Sequence, residues 1–263
     1  TKDFSWNTDF IFSHAKNEVT DLQSNARVIE MITGTGFTMA GYPVRSLFSI
    51  DFQGLNEYGL PTFINENGEL TVSGLNFQKT MKKAHLVYEE PTDPITGSFD
   101  NTFRYKGFNL NLSITYSFGN VVRLDPVFKN TYTDLTSMPR EFKNRWTLPG
   151  DEQHTSIPVI ADKRLNQQDS QLNYAYNAYN YSTARVAKGD FIRMKEISFG
   201  YDFPKKWIEP WKLNNLSLKL QATNLFLIYA DKKLNGQDPE FFNAGGVAAP
   251  MSKQFTLTLR VGL

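Results

Sequence analysis

The chain contains no cysteine. Disulfides, thiol nucleophiles and cysteine-ligated zinc or iron–sulfur centres are therefore excluded, although the compartment stays open. It also lacks any run approaching the ~20 apolar residues of a membrane helix. A chain of this kind could cross a membrane only as strands of a closed barrel. Neither sign of charge is in excess: 28 basic and 27 acidic residues leave a net +1. That balance gives no electrostatic reason to expect nucleic acid as a partner. Histidine is scarce, with only His14, His85 and His154. None stands in an i, i+4 pair or beside a serine or acidic motif of the kind that carries catalysis. Asp151 and Glu152 lie near His154, but no spaced set of ligands surrounds them. No catalytic residue, metal or cofactor is expected.

What is present is aromatic and polar at once. Aromatics make up 14% of the 263 residues, with 21 Phe and 12 Tyr, yet mean hydropathy is −0.42. Helical periodicity is weak, whereas period-2 alternation is strong in six places. Residues 4–13 put Phe4, Trp6, Phe10 and Phe12 on one face and Ser5, Asn7, Asp9 and Ser13 on the other. Residues 99–105 set Phe99, Phe103 and Tyr105 against Asp100, Thr102 and Arg104. From 108 to 118 every even position is apolar or aromatic and every odd one between them is Asn, Ser or Thr. Residues 191–203 follow, with Ile192 and Met194 out of phase with Ile197, Phe199 and Tyr201, a pattern that suggests a bulge. Residues 216–229 and 255–263 complete the set. The last sets Phe255, Leu257, Leu259, Val261 and Leu263 against Thr256, Thr258, Arg260 and Gly262.

The connections alternate in length. Strands two and three meet at a tight turn, and 204–215 is compact, with room for one helical turn. Segments 17–96, 119–190 and 230–253 are long. Alternation alone fits a soluble β-sandwich, for example a carbohydrate-binding module, as well as a barrel. Short turns at one end, long loops at the other and strands near 10 residues favour the barrel. In a barrel Arg104, Lys219 and Arg260 would face the lumen; in a sandwich they would be solvated. Tyr174, Tyr176, Tyr179 and Tyr181 fall in a long loop. They read either as contact platforms for a ligand or partner, or as aromatics that hold the loop in order. Trp146 carries the same two readings, and Asp151 beside it is a contact candidate. Trp207 and Trp211 read as interface-belt aromatics.

Several segments resemble SusC/RagA-like TonB-dependent outer-membrane transporters. GDFIRMKEISFGYDFPKKW (189–207), LSLKLQATNLFLIYADKK (216–233) with its Asn224-Leu225-Phe226 signature, QDPEF (237–241) and the closing QFTLTLRVGL resemble the family's C-terminal strands. FSWNTDFIFSHAKNEV, GYPVRSLFSIDFQGLNEYGLP (41–61), GSFDNTFRYKGFNLNLSITYSFGN and RWTLPGDEQ (145–153) resemble earlier ones, in order over nearly the whole chain. The resemblance implies an all-β fold: a transmembrane antiparallel β-barrel, with residues 1–263 supplying about the last six strands of a 22-stranded plugged barrel. The start, TKDFSW, reads as a cut inside a longer polypeptide. The plug, the TonB box and the N-terminal strands would lie outside these residues. The resemblance further implies a non-enzymatic, TonB-energised importer of oligosaccharides or oligopeptides. Its partners would be the remainder of the barrel, a SusD-like surface lipoprotein lid, TonB and outer-membrane lipid. It would be a multi-pass outer-membrane protein with a periplasmic C-terminus. Leu263 departs from the aromatic residue that ends many such barrels.

Overall fold

A computed structural model describes residues 3–23, 26–33, 36–75, 81–89, 95–128, 138–160, 167, 169–241 and 250–263. In chain order the strands are β1 (Phe4–His14), β2 (Leu47–Ile50), β3 (Phe52–Leu55), β4 (Pro61–Ile64), β5 (Leu70–Thr71), β6 (Leu86–Glu89) and β7 (Ile95–Tyr105). They continue as β8 (Phe108–Phe118), β9 (Val121–Arg123), β10 (Val186–Lys188), β11 (Phe191–Asp202), β12 (Asn215–Ala230) and β13 (Gln254–Gly262). The α-helices with described bounds are short: α1 (Val28–Ile32), α2 (Leu172–Asn180) and α3 (Lys205–Ile208). No helix among the described residues is long and apolar enough to cross a membrane.

Six strands form one antiparallel sheet in the order β1-β7-β8-β11-β12-β13. These are the six segments whose alternation is legible in the sequence. Neighbours in space are thus neighbours in the strand sequence of this sheet, an up-and-down arrangement. Lys106 and Gly107 turn β7 into β8 with φ of 45° and 89°. Two consecutive positive φ values match the twist of a two-residue hairpin. At the same end, residues 203–214 carry α3 and return the chain from β11 to β12. The three long connections all leave from the opposite end, where His14 pairs with Ile95 and Ile95 with Phe118.

Register lines the apolar side chains up across strands. Phe4, Tyr105, Phe108 and Tyr201 form one cross-strand row at the short-turn end. The Phe108 and Tyr201 rings lie 4.4 Å apart, and Trp207 packs against Tyr201 and Phe203. Ten residues up β8, Tyr116 and Phe118 begin a second band, with Phe10 stacked on Tyr116 at 6.1 Å. Between these bands the face is apolar and open, with Leu257 68% and Phe255 71% exposed.

The bulge suggested by the phase error is present. Met194 pairs with Ile114 but Glu196 with Ser113, which leaves Lys195 as the extra residue. The insertion restores Ile192 and Met194 to the apolar face. On β12, Asn224 takes φ of 54° at the matching irregularity. Asn tolerates this left-handed conformation better than most residues, which is a physical reason for the Asn-Leu-Phe signature. β7 begins before residue 99, because Gly97 and Asn101 interrupt the apolar pattern without breaking the strand. Tyr116 of β8 reaches across Gly97 to donate its hydroxyl to the Ile11 carbonyl at 2.9 Å. Asn101 accepts from the Trp6 indole and the Thr8 hydroxyl, both at 2.9 Å.

The hydrophobic core lies outside this sheet. Ile32, Ile50 and Phe63 from the first long connection pack with Val127, Leu172 and Tyr179 from the second. A smaller cluster joins Val122, Leu124 and Ala187 to Leu234 of the third. The described parts of the long connections therefore form a structured layer at one end of the sheet.

Candidate functional site

Two surfaces remain once the apolar face is set aside: the outer loop layer and the polar face of the sheet.

In the loop layer, the tyrosine-rich segment read as loop is the helix α2. Leu172, Ala175, Tyr176 and Tyr179 recur at helical spacing and are buried. Tyr179 is fully buried, and Tyr176 donates its hydroxyl to the Val159 carbonyl at 2.8 Å. Burial pushes the Tyr179 phenol up to about 12. Tyr181 packs against the same core, whereas Tyr174 points outward with 51% of its surface exposed.

Trp146 and Asp151 organise a turn. The Trp146 ring lies where a Cβ on Gly59 would stand, 2.4 Å away, so only glycine, here at φ +74°, fits beneath it. Its indole donates to Glu152 at 2.9 Å, which holds that carboxylate below its ordinary range. Asp151 accepts from the Leu148 and Thr147 amides and the Thr147 hydroxyl at 2.9–3.0 Å. Those donors lower its pKa, with the Leu148 amide the largest cause. Among the described residues, no group of three or more His, Asp or Glu is placed to hold a metal.

Three arginines that did not stand out in the sequence tie the layer together. Arg193 of β11 is 6% exposed and meets Asp238 at 2.5 Å and Glu240 at 2.8 Å, both from QDPEF. Arg185 meets Glu141 at 2.7 Å and the Asp125 carbonyl at 2.6 Å. Arg123 donates to the Phe48 carbonyl at 2.7 Å, and burial lowers its pKa to about 10. Nearby, burial raises the Glu89 carboxyl. The sequence carries the two acids Asp238 and Glu240 in QDPEF, but nothing in it says which cation they meet.

The polar face is concave and lined by Ser, Thr, Asn and Gln. Arg104, Lys219 and Arg260 all border one hollow of about 620 Å³ near the short-turn end. Register puts Arg104 and Lys219 in one cross-strand row, with Asn109 and Gly200 between them. Lys219 stands 3.9 Å from Glu196, and Asn109 donates to Asp202 at 2.9 Å. Trp207 and Trp211 project at the short-turn end, 62% and 70% exposed.

A meandering sheet with an open apolar face, a polar opposite face, aromatic bands and loops gathered at one end has the arrangement of a stretch of membrane β-barrel wall. The chain resembles SusC-like TonB-dependent receptors over nearly its whole length, as its motifs imply. It is 24% identical over 254 residues to TonB-dependent receptor P3 of Formosa agariphila, covering 91% of this chain and 23% of that protein. It is 24% identical over 280 residues to TonB-dependent receptor SusC of Bacteroides thetaiotaomicron, covering 100% of this chain and 25% of that protein. No family model matches. The structure of the RagAB peptide importer in its "open-open" state superposes with a TM-score of 0.70 at 21% identity, covering all of this chain and 27% of that one. The "closed-closed" state gives 0.66. The structural likeness shows the fold. The chain spans about a quarter of the length of the curated relatives it matches.

Proposed function

We propose that these residues form part of an outer-membrane importer that takes up oligosaccharides or oligopeptides, energised by TonB and closed by a SusD-like lipoprotein. The carrying observation is the exposed apolar face between two aromatic bands. Ten residues at ~3.4 Å, tilted by ~40°, span about 26 Å, the height of the apolar band of an outer-membrane barrel. A water-soluble sandwich would bury such a face against a second sheet. The outer edges of β1 and β13 also have no strand partner among the described residues. Unpaired edges are not tolerated in hydrocarbon, so in this reading further strands, about 22 in all, close the barrel. The polar face then meets water and a plug inside the lumen, and the chain crosses the membrane several times with its C-terminus periplasmic.

In that orientation the loop layer is extracellular and the lid sits on it. Tyr174 is the member of the tyrosine group with a free ring to offer; Tyr176, Tyr179, Tyr181, Trp146 and Asp151 shape the surface beneath. Protease added to intact cells should cut only within 15–94, 119–190 and 231–253. Cleavage at Lys106 or Lys205 would overturn the assignment. Tyr174→Ala should weaken co-purification of the lipoprotein while the barrel remains folded.

A further inference from the structure

The short-turn end of the apolar face carries lysines that an aromatic band does not need. The Gly107 carbonyl accepts from the Asp202 amide at 2.8 Å, and a Cβ on Gly107 would stand 2.7 Å from the Asp202 carbonyl. The β7–β8 turn is therefore pressed against the end of β11, where the return to β12 departs. In that return Ile208 is the buried residue of α3, and the Trp207 ring lies 6.4 Å from both Tyr201 and Phe203. Turn and return thus meet on the apolar side of the sheet. Lys106 holds its ammonium 5.3 Å from the centre of the Tyr105 ring, a member of the aromatic row. Lys205, Lys206 and Lys212 are exposed along the return. The acidic side chains described at this end are Asp3, 4.0 Å from Lys106, Glu209, and Asp202, which accepts from Asn109 on the polar side. Cations therefore outnumber acids beside the exposed Trp207 and Trp211 rings. In the membrane reading, further strands join at the outer edges of β1 and β13 and the plug lies against the polar face. The outer surface of β7, β8, β11 and β12 then faces lipid.

We infer that this cluster is a docking site for the headgroups of anionic phospholipids in the leaflet at the short-turn side. The inference rests on the membrane reading and names the lipid. Indole rings settle at headgroup level, and lysine stems lie along apolar surface while the ammonium reaches outward to phosphate. An aromatic belt alone takes any phospholipid. A basic residue close to an anionic surface adds about 1 kcal/mol, which is about a fivefold preference.

Fluorescence quenching of the whole protein in phosphatidylcholine vesicles tests this. Subtracting the signal of a version with Trp207→Phe and Trp211→Phe isolates those two rings. Brominated phosphatidylglycerol, as a minor component, should quench that difference signal as if enriched about fivefold or more around it. Brominated phosphatidylcholine should quench it in proportion to its mole fraction. The enrichment should fall toward one in 1 M salt, where the screening length is about 3 Å. It should also fall when Lys106→Gln, Lys205→Gln, Lys206→Gln and Lys212→Gln are combined, while quenching by brominated phosphatidylcholine is kept. Equal quenching by the two lipids, or an enrichment that survives the four substitutions, overturns the inference. So does a difference signal that neither lipid quenches while other tryptophans are quenched, which would mean that a second copy or another part of the protein covers the cluster. The membrane reading fails separately, if brominated lipid quenches no tryptophan of the whole protein.

Discussion

Replacing Gly97 by alanine sets two expectations of opposite sign against each other. Strand propensity alone favours the change, because glycine in a strand interior costs roughly 0.5–1 kcal/mol relative to alanine. The packing opposes it. An added Cβ would stand 2.1 Å from the Ile11 carbonyl oxygen and 2.4 Å from the Tyr116 hydroxyl, more than an ångström inside ordinary contact. Both neighbours must give: β1 moves away from β7 to free the Ile11 carbonyl, and the Tyr116 ring swings off the strand. Swinging off loses the hydroxyl bond to Ile11, about 1 kcal/mol. Moving the strand adds overpacking strain of about 1–3 kcal/mol. Less the propensity gain, Gly97→Ala should destabilise by about 1–3 kcal/mol. Tyr116→Phe, which keeps the ring and deletes only the hydroxyl, should cost about 1 kcal/mol or less. Urea titration of the whole protein refolded into lipid vesicles reads both. If Gly97→Ala is neutral or stabilising, the close crossing of β1, β7 and β8 does not hold.

Leu259→Arg puts a charge on the apolar face of β13 and should cost roughly 2–4 kcal/mol near mid-bilayer. Thr258→Arg, on the polar face one residue away, should assemble far better, as heat-resistant folded protein in outer membranes will show. Asp238→Asn leaves Arg193 with one carboxylate where it had two, and should expose 231–241 to protease at a rate several-fold above wild type. Equal cleavage would show that the remaining contacts, among them Leu234, Asp231 with the Lys188 amide and Glu240 with Arg193, anchor the segment without Asp238. Tyr179 has its folded pKa raised to about 12 by burial. Its contribution is therefore fully present below the unfolded value near 10 and is lost as pH rises from there toward 12. The loop layer should weaken over that window, and less steeply in Tyr179→Phe, followed by tyrosinate absorbance.

The main sheet was legible in the sequence because each of its strands has one apolar and one polar face, and period 2 reports that directly. Legibility fails where tertiary contacts replace alternation. Gly97 and Asn101 look like interruptions because what fills their positions, the Tyr116 ring and the Trp6 indole, comes from neighbouring strands. The loop layer was legible in less detail. α2 has Leu172, Ala175, Tyr176 and Tyr179 buried at i, i+3, i+4 and i+7, but nine residues among polar neighbours read equally well as an aromatic loop. Of the candidate contacts, aromatic content singled out Tyr176 and Tyr179 without distinguishing rings that face outward from rings that hold the layer together. Arg193 was hidden for another reason: a charge on the polar face of a strand is expected, and only the folded QDPEF segment shows that it is paired.

The first and second long connections share one hydrophobic core, in which Phe63 and Ile50 from one meet Tyr179 and Val127 from the other. Substitutions in the two segments are therefore thermodynamically coupled although more than a hundred residues separate Phe63 from Tyr179. A surface loop grafted from a relative into one segment alone would arrive with half a core. Exchanging both segments together, and leaving the six wall strands untouched, is the unit in which this layer can be transplanted.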